Sequence, residues 1–153
     1  MSGACEFCAW EQGPSGPPGG WVYRGRHWSV SPVEGREVPG WYRVILRRHG
    51  EGIASLSATE ARALGPLLAR LGNVLLELLA PERIYVYGYG ENHAHLHFLV
   101  CPRGPEVPED QRAAKLYSYG KTMIDVEAAK TVAAEVKKRL RGRAGPLPES
   151  ARS

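Results

Sequence analysis

The chain has 153 residues, 43% hydrophobic and 24% charged, with a net charge of +4; that suffices for one domain with a sizeable core, leaves little for a second, and excludes a wholly disordered chain. No apolar run is long enough to span a membrane and Met1-Ser2-Gly3-Ala4 begins no signal peptide, so a cytoplasmic protein is expected. The mild positive charge suits an anionic ligand such as a phosphate ester, but it is too small to argue for specific nucleic-acid binding, and none is expected.

Cys5 and Cys8 come first. A redox Cys-x-x-Cys wants a preceding strand and a following helix, whereas this one begins the chain and runs into the Gly/Pro-rich stretch from Gly13 to Gly20. Half of a tetrahedral zinc site is the better reading, and its two missing ligands must be histidines, because Cys101 is a lone residue in an apolar run. His27 and His49 are the upstream candidates. Trp21 to Arg24 and His27 to Ser31 read as a hairpin around Gly25, and Pro32 to Gly40 as a turn-rich connection carrying Glu34 and Glu37. Trp41 to Arg48 alternates Tyr42, Val44 and Leu46 against Trp41, Arg43, Ile45 and Arg47, apolar on both faces, as a central strand would be.

Ser57-Ala58-Thr59-Glu60 is a capping box, and the leucines and valine from Leu64 to Leu79 form the stripe of a long amphipathic helix. Gly65-Pro66 is expected to kink or restart that helix, and Pro81 to end it. Arg83 to Tyr89 is the next strand, turned by Gly90-Glu91-Asn92 directly into His93-Ala94-His95-Leu96-His97-Phe98-Leu99-Val100. Read as a strand, this segment puts His93, His95 and His97 on one face and Ala94, Leu96 and Phe98 on the other. Two chemistries suit three imidazoles. One is a catalytic metal on all three, although same-face neighbours on a straight strand stand about 6.5 to 7 Å apart and converge poorly on one ion. The other divides the roles, one histidine attacking phosphorus while its neighbours ligate or orient.

The segment from His93 to Val100 resembles the His-φ-His-φ-His-φ-φ signature of the histidine triad (HIT) superfamily of nucleotide hydrolases and transferases. Cys5-Glu6-Phe7-Cys8 resembles the N-terminal Cys-x-Phe-Cys of bacterial members, and Arg47-Arg48-His49 their strand ending in a basic residue and a histidine; the likeness spans about residues 5 to 103. It implies an α+β HIT-like fold, a mainly antiparallel sheet with one long packed helix and a C-terminal helix, in a homodimer. It also implies a structural zinc on Cys5, Cys8, His49 and His93, with His95 as the nucleophile that forms a nucleotidyl-histidine and His97 orienting it. Asn92 and Arg103 are then expected to serve the phosphate, and Glu34 or Glu37 the ribose. The substrate implied is a nucleoside phosphoramidate or dinucleoside polyphosphate. The compact turn at Gly90-Glu91-Asn92 departs from the family, because the Gly-Gln-Ser/Thr segment that precedes the first histidine in most members is not matched. A nucleotide-binding protein without catalysis therefore stands as one alternative. Uridylyltransferase-like transfer is a second, although His-Pro-His-x-Gln is not matched either.

Beyond Arg103, Gly104 to Pro108 reads as a linker and Leu116 to Lys121 as an ordered loop. Asp125 caps a basic amphipathic helix to about residue 141. The expected organisation is one domain over 1–141, with a zinc-tethered arm, a core over about 21–103 and a disordered tail over 142–153.

Overall fold

The structure, a computed structural model, describes residues 4–142, so the tail expected to be disordered lies, from residue 143 on, outside the described residues. Tyr23–Arg24 (β1) folds back through Gly25 onto Trp28–Pro32 (β2), pairing Tyr23 with Val30. The next strand, Tyr42–Leu46 (β3), is buried along its whole length. It is entered through Gly40, whose φ of +82° and closeness to Leu79 leave no room for a side chain. With Arg83–Tyr87 (β4) and His97–Arg103 (β5) the sheet runs β1-β2-β3-β5-β4, antiparallel throughout, the architecture expected from the sequence.

One face of the sheet carries Val30, Tyr42, Val44, Leu46 and Val100 beneath the long helix Ala58–Leu79 (α2), whose Leu67, Leu71 and Leu75 are buried. Each of those leucines contributes roughly 1.5–3 kcal/mol by leaving water. The capping box forms as read: Glu60 N–H donates to Ser57 Oγ at 3.2 Å, and Ser57 N–H to Glu60 Oε2 at 2.8 Å. The expected interruption at Gly65-Pro66 does not occur, and α2 is one helix through Pro66. Both residues lie on its exposed side, where water takes the carbonyl that a proline ring displaces. Ala80, in the left-handed region, ends it just before Pro81.

The C-terminal helix Val126–Arg141 (α4) starts where Asp125 accepts from the Ala128 N–H at 3.0 Å, and it buries Val136 and Leu140 beside α2. The other face carries Trp41, Leu99 and Cys101 under Val107 and Leu116, the latter starting a single helical turn at Leu116–Tyr119 (α3). That same face continues toward Arg43 and His97, and there an N-terminal helix, Glu6–Gln12 (α1), covers it through the fully buried Phe7. Glu11 anchors α1 by accepting from Arg24 at 2.8 Å and from Arg47 at 3.0 Å.

The histidine segment differs from the expected straight strand. Residues 88–94 are irregular and β5 begins only at His97. Leu96 is held instead by bonds past the end of β3: its carbonyl accepts from Leu46 N–H at 3.1 Å, and its N–H donates to Gly50 at 2.7 Å. The alternation that would put three histidines on one face therefore never starts at His93.

Candidate metal centre and adjoining cavity

Cys5 and Cys8 stand at the cap and in the first turn of α1, His49 follows β3, and His95 lies two residues before β5. Their four ligand atoms all lie within 4.8 Å of one another. Cys5 Sγ is 3.2 Å from His95 Nδ1, Cys8 Sγ 3.4 Å from His49 Nδ1 and 3.6 Å from His95 Nδ1. Donors around a tetrahedral zinc are about 3.3 to 3.8 Å apart, close to these three distances, so the chemistry and spacing of the four residues suit that ion. They form a Cys2His2 metal site with no position left for water, the closed type that serves structure.

The outer nitrogens of both histidines are engaged. His95 Nε2–H donates to the Leu46 carbonyl at 2.6 Å; a carbonyl only accepts, so the proton is on Nε2 and Nδ1 turns its lone pair to the sulfurs. His49 Nε2 lies 3.3 Å from Glu51 Oε1. The thiols are unequal. Burial works against the Cys5 thiolate, yet bonds from Cys8 and His49 hold its pKa below the ordinary value, while burial and the Cys5 sulfur push Cys8 up to about 11. Both sulfurs must be deprotonated to ligate, so metal affinity rises with pH.

Two sequence expectations are corrected here. His93 is not among the four; its ring stacks on Phe7, centroids 4.7 Å apart, and its Nε2 is 3.9 Å from Glu6. His95 takes the ligand place, because the bonds at Leu96 turn its side chain toward the cysteines. It is 2% exposed with both ring nitrogens occupied, so it has no free lone pair with which to attack a substrate. The alternative of a catalytic metal on His93, His95 and His97 meets the same geometry, since only His95 of the three joins the cluster.

His97 is placed differently. Its Nδ1–H donates to the His95 carbonyl at 2.8 Å, which fixes the tautomer and leaves Nε2 unprotonated. Burial, against that bond and helped by the charge of Arg43, lowers its pKa and keeps the ring neutral. Asn92, His93 and His97 line a cavity of about 260 Å³ with Arg43, Leu99 and three tyrosines. Tyr87 and Tyr89 stack at 5.6 Å, with Tyr87 tied to the Ala113 carbonyl at 2.6 Å, and Tyr117 stacks on Trp41.

The other expected substrate residues are elsewhere. Arg103 is six residues along β5, about 20 Å from His97, and binds Glu82 at 2.7 Å and Tyr85 at 3.3 Å. Glu34 and Glu37 line a separate groove of about 370 Å³ between the Pro18–Val22 segment and α4. Arg43 and the tyrosines were not singled out from sequence, where each reads as an ordinary strand or loop residue. Phe7 was visible only as the Phe of Cys-x-Phe-Cys, yet its ring packs against His93, His95 and His97 together.

No protein-family model and no curated protein matches the chain. Solved structures do. A histidine triad protein from Bradyrhizobium japonicum superposes with a TM-score of 0.65 at 15% identity, over 78% of this chain and 88% of that one. A hypothetical histidine triad nucleotide-binding protein from Sulfolobus tokodaii gives 0.65 at 14%, over 89% and 91%. A zinc-bound histidine triad family protein from Mycobacterium smegmatis gives 0.62 at 17%, over 90% and 95%. The fold of this chain is that of the histidine triad proteins.

Proposed function

We propose that this chain, built on the histidine triad fold, is a nucleotide hydrolase or nucleotidyl transferase whose nucleophile is His97 rather than His95. The observation that carries the reading is the hydrogen bond from His97 Nδ1–H to the His95 carbonyl, which presents a neutral imidazole with its Nε2 lone pair free beside a cavity. Nε2 attacks the α-phosphorus of a nucleoside phosphoramidate or dinucleoside polyphosphate. The P–N bond forms as the bond to the leaving group breaks, and that group departs with the electron pair and takes a proton from water. A water oxygen then displaces Nε2, which recovers its lone pair while the proton passes to solvent, so one difficult displacement becomes two easier ones. Asn92, on the cavity wall, would donate to a phosphoryl oxygen. Bound at Cys5, Cys8, His49 and His95, zinc would supply a cross-link between the N-terminal arm and the sheet, with no part in bond breaking. A reducing, cytoplasmic setting suits the free cysteines, and a homodimer is the assembly that the resemblance implies.

Intact-protein mass spectrometry after brief incubation with a fluorogenic adenosine phosphoramidate, and separately with a diadenosine polyphosphate, tests the reading. Wild type should carry a nucleotide adduct or turn substrate over, and His97→Ala should do neither. Turnover retained in His97→Ala removes the mechanism. Nucleotide binding without adduct or turnover in the wild type would support the non-catalytic alternative, which the compact turn at 90–92 favours.

A further inference from the structure

We infer that Arg43 makes the floor of the His97 cavity an anion subsite that takes the phosphate of a nucleoside monophosphate unit. This rests on the function proposed above and names which group of the chain holds the charged part of the ligand.

Arg43 lies inside β3, paired across the ladder with Leu99, while its neighbour Ile45 pairs with His97. The guanidinium is therefore diagonal to the imidazole on the same face, a spacing at which long side chains reach one ligand. It is 7% exposed. Its carbon sits 5.1 Å from the Phe7 ring centroid and 5.5 Å from that of Trp10, so aromatic faces hold it from one side. Among the described residues no hydrogen bond or ion pair reaches it, and Nε is buried without a partner. The other buried arginine, Arg103, has Glu82 and the half-buried Arg47 has Glu11, while the half-buried Arg36, Arg70 and Arg112 donate to main-chain carbonyls. Glu6 and Glu34 act on Arg43 only through space.

A cation taken out of water this far costs several kcal/mol unless it is paired. Ring faces offset part of that cost but satisfy none of its N–H donors. The unmet donors belong to a residue that lines the cavity. A planar guanidinium fork matches two oxygens of a phosphate, and the tyrosine walls offer rings on which a base or sugar can lie.

The test is isothermal titration of the zinc-loaded full chain with AMP, GMP, UMP and CMP, each beside its nucleoside. Wild type should hold its preferred monophosphate about 10- to 100-fold more tightly than the matching nucleoside, the span expected for a charge-assisted pair of bonds. Arg43→Met, which keeps the apolar stem under Phe7, should erase that preference while nucleoside affinity stays within about twofold; Arg43→Lys should keep part of it. Wild type that binds every monophosphate no better than its nucleoside overturns the inference, and this arm decides even should the variants fail to fold. A folded Arg43→Met protein with unchanged monophosphate affinity overturns it too. No turnover is needed, so a missing His97 adduct would defeat the proposed function without touching this result, and the reverse also holds.

Discussion

Two ends of one short stretch, His95 and His97, sit in opposite electrostatic conditions. Around His95 every polar atom is spoken for: Nδ1 faces two sulfurs, Nε2–H meets the Leu46 carbonyl, and His49 leans on Glu51. Around His97 the reverse holds, with an imidazole bonded on one side only and a buried guanidinium without an anion. In this stretch the satisfied groups hold structure and the unsatisfied ones face a cavity, so the contrast separates the two parts more sharply than residue type does. Both parts are histidines.

The hardest test of that separation is His97→Ala, expected to lower turnover about a thousandfold or more, as loss of a nucleophile does, with zinc content unchanged. A loss of bound zinc in that variant would show the two regions to be one. The next largest effect is expected from the metal side: chelation, or Cys8→Ser, should drop the melting temperature together with activity, measured by differential scanning calorimetry, since metal-binding energy is folding energy. Activity lost with the melting temperature intact would make the metal catalytic. Phe7→Ala cuts across the divide, because its fully buried ring touches all three histidines. It should cost about 3 to 5 kcal/mol in chemical denaturation, typical of a buried aromatic, and weaken zinc retention as well.

The smallest effect concerns the support behind His49. Arg48 grips Glu60 through two bonds of 2.8 Å and reaches the His49 carbonyl at 3.2 Å. Arg48 first, and then the Ser57 backbone, hold the Glu60 carboxyl down at about 2. A depressed carboxyl stabilises fully above its unfolded value near 4.5 and loses that contribution as pH falls toward 2. Glu60→Gln should therefore melt a few degrees below wild type at pH 6 and converge with it near pH 2, in a series of thermal melts.

Much of this was legible in the sequence. Ser57 and Glu60 announce α2, Asp125 announces α4, and the two-faced alternation of Trp41 to Leu46 marks the central strand, because capping and periodicity are local. Cys5, Cys8 and His49 also come together as the spacing and resemblance imply. What failed was the register of the histidines. A period of two assumes a strand from its first residue, whereas the chain near His95 is set by Gly50 and Leu46, some 45 residues earlier, and such pairing leaves no local trace. Arg103 is hidden for a similar reason: Glu82, beside it across the ladder, neutralises it, and that pairing leaves no local trace in the sequence. Arg43 went unread because alternation tells which face a residue takes, not whether a counter-charge waits there.

The bond from His97 to the carbonyl of His95 comes from main chain. Every residue type carries that oxygen, so no substitution at position 95 can delete it, and a mutational scan will find no side chain that orients His97. Replacing His95 by another metal ligand such as cysteine would leave the same oxygen in place wherever the backbone path survives. A scan of this chain would thus see a sensitivity at position 95 that tracks the loss of metal, while the feature that readies the neighbouring imidazole passes unseen.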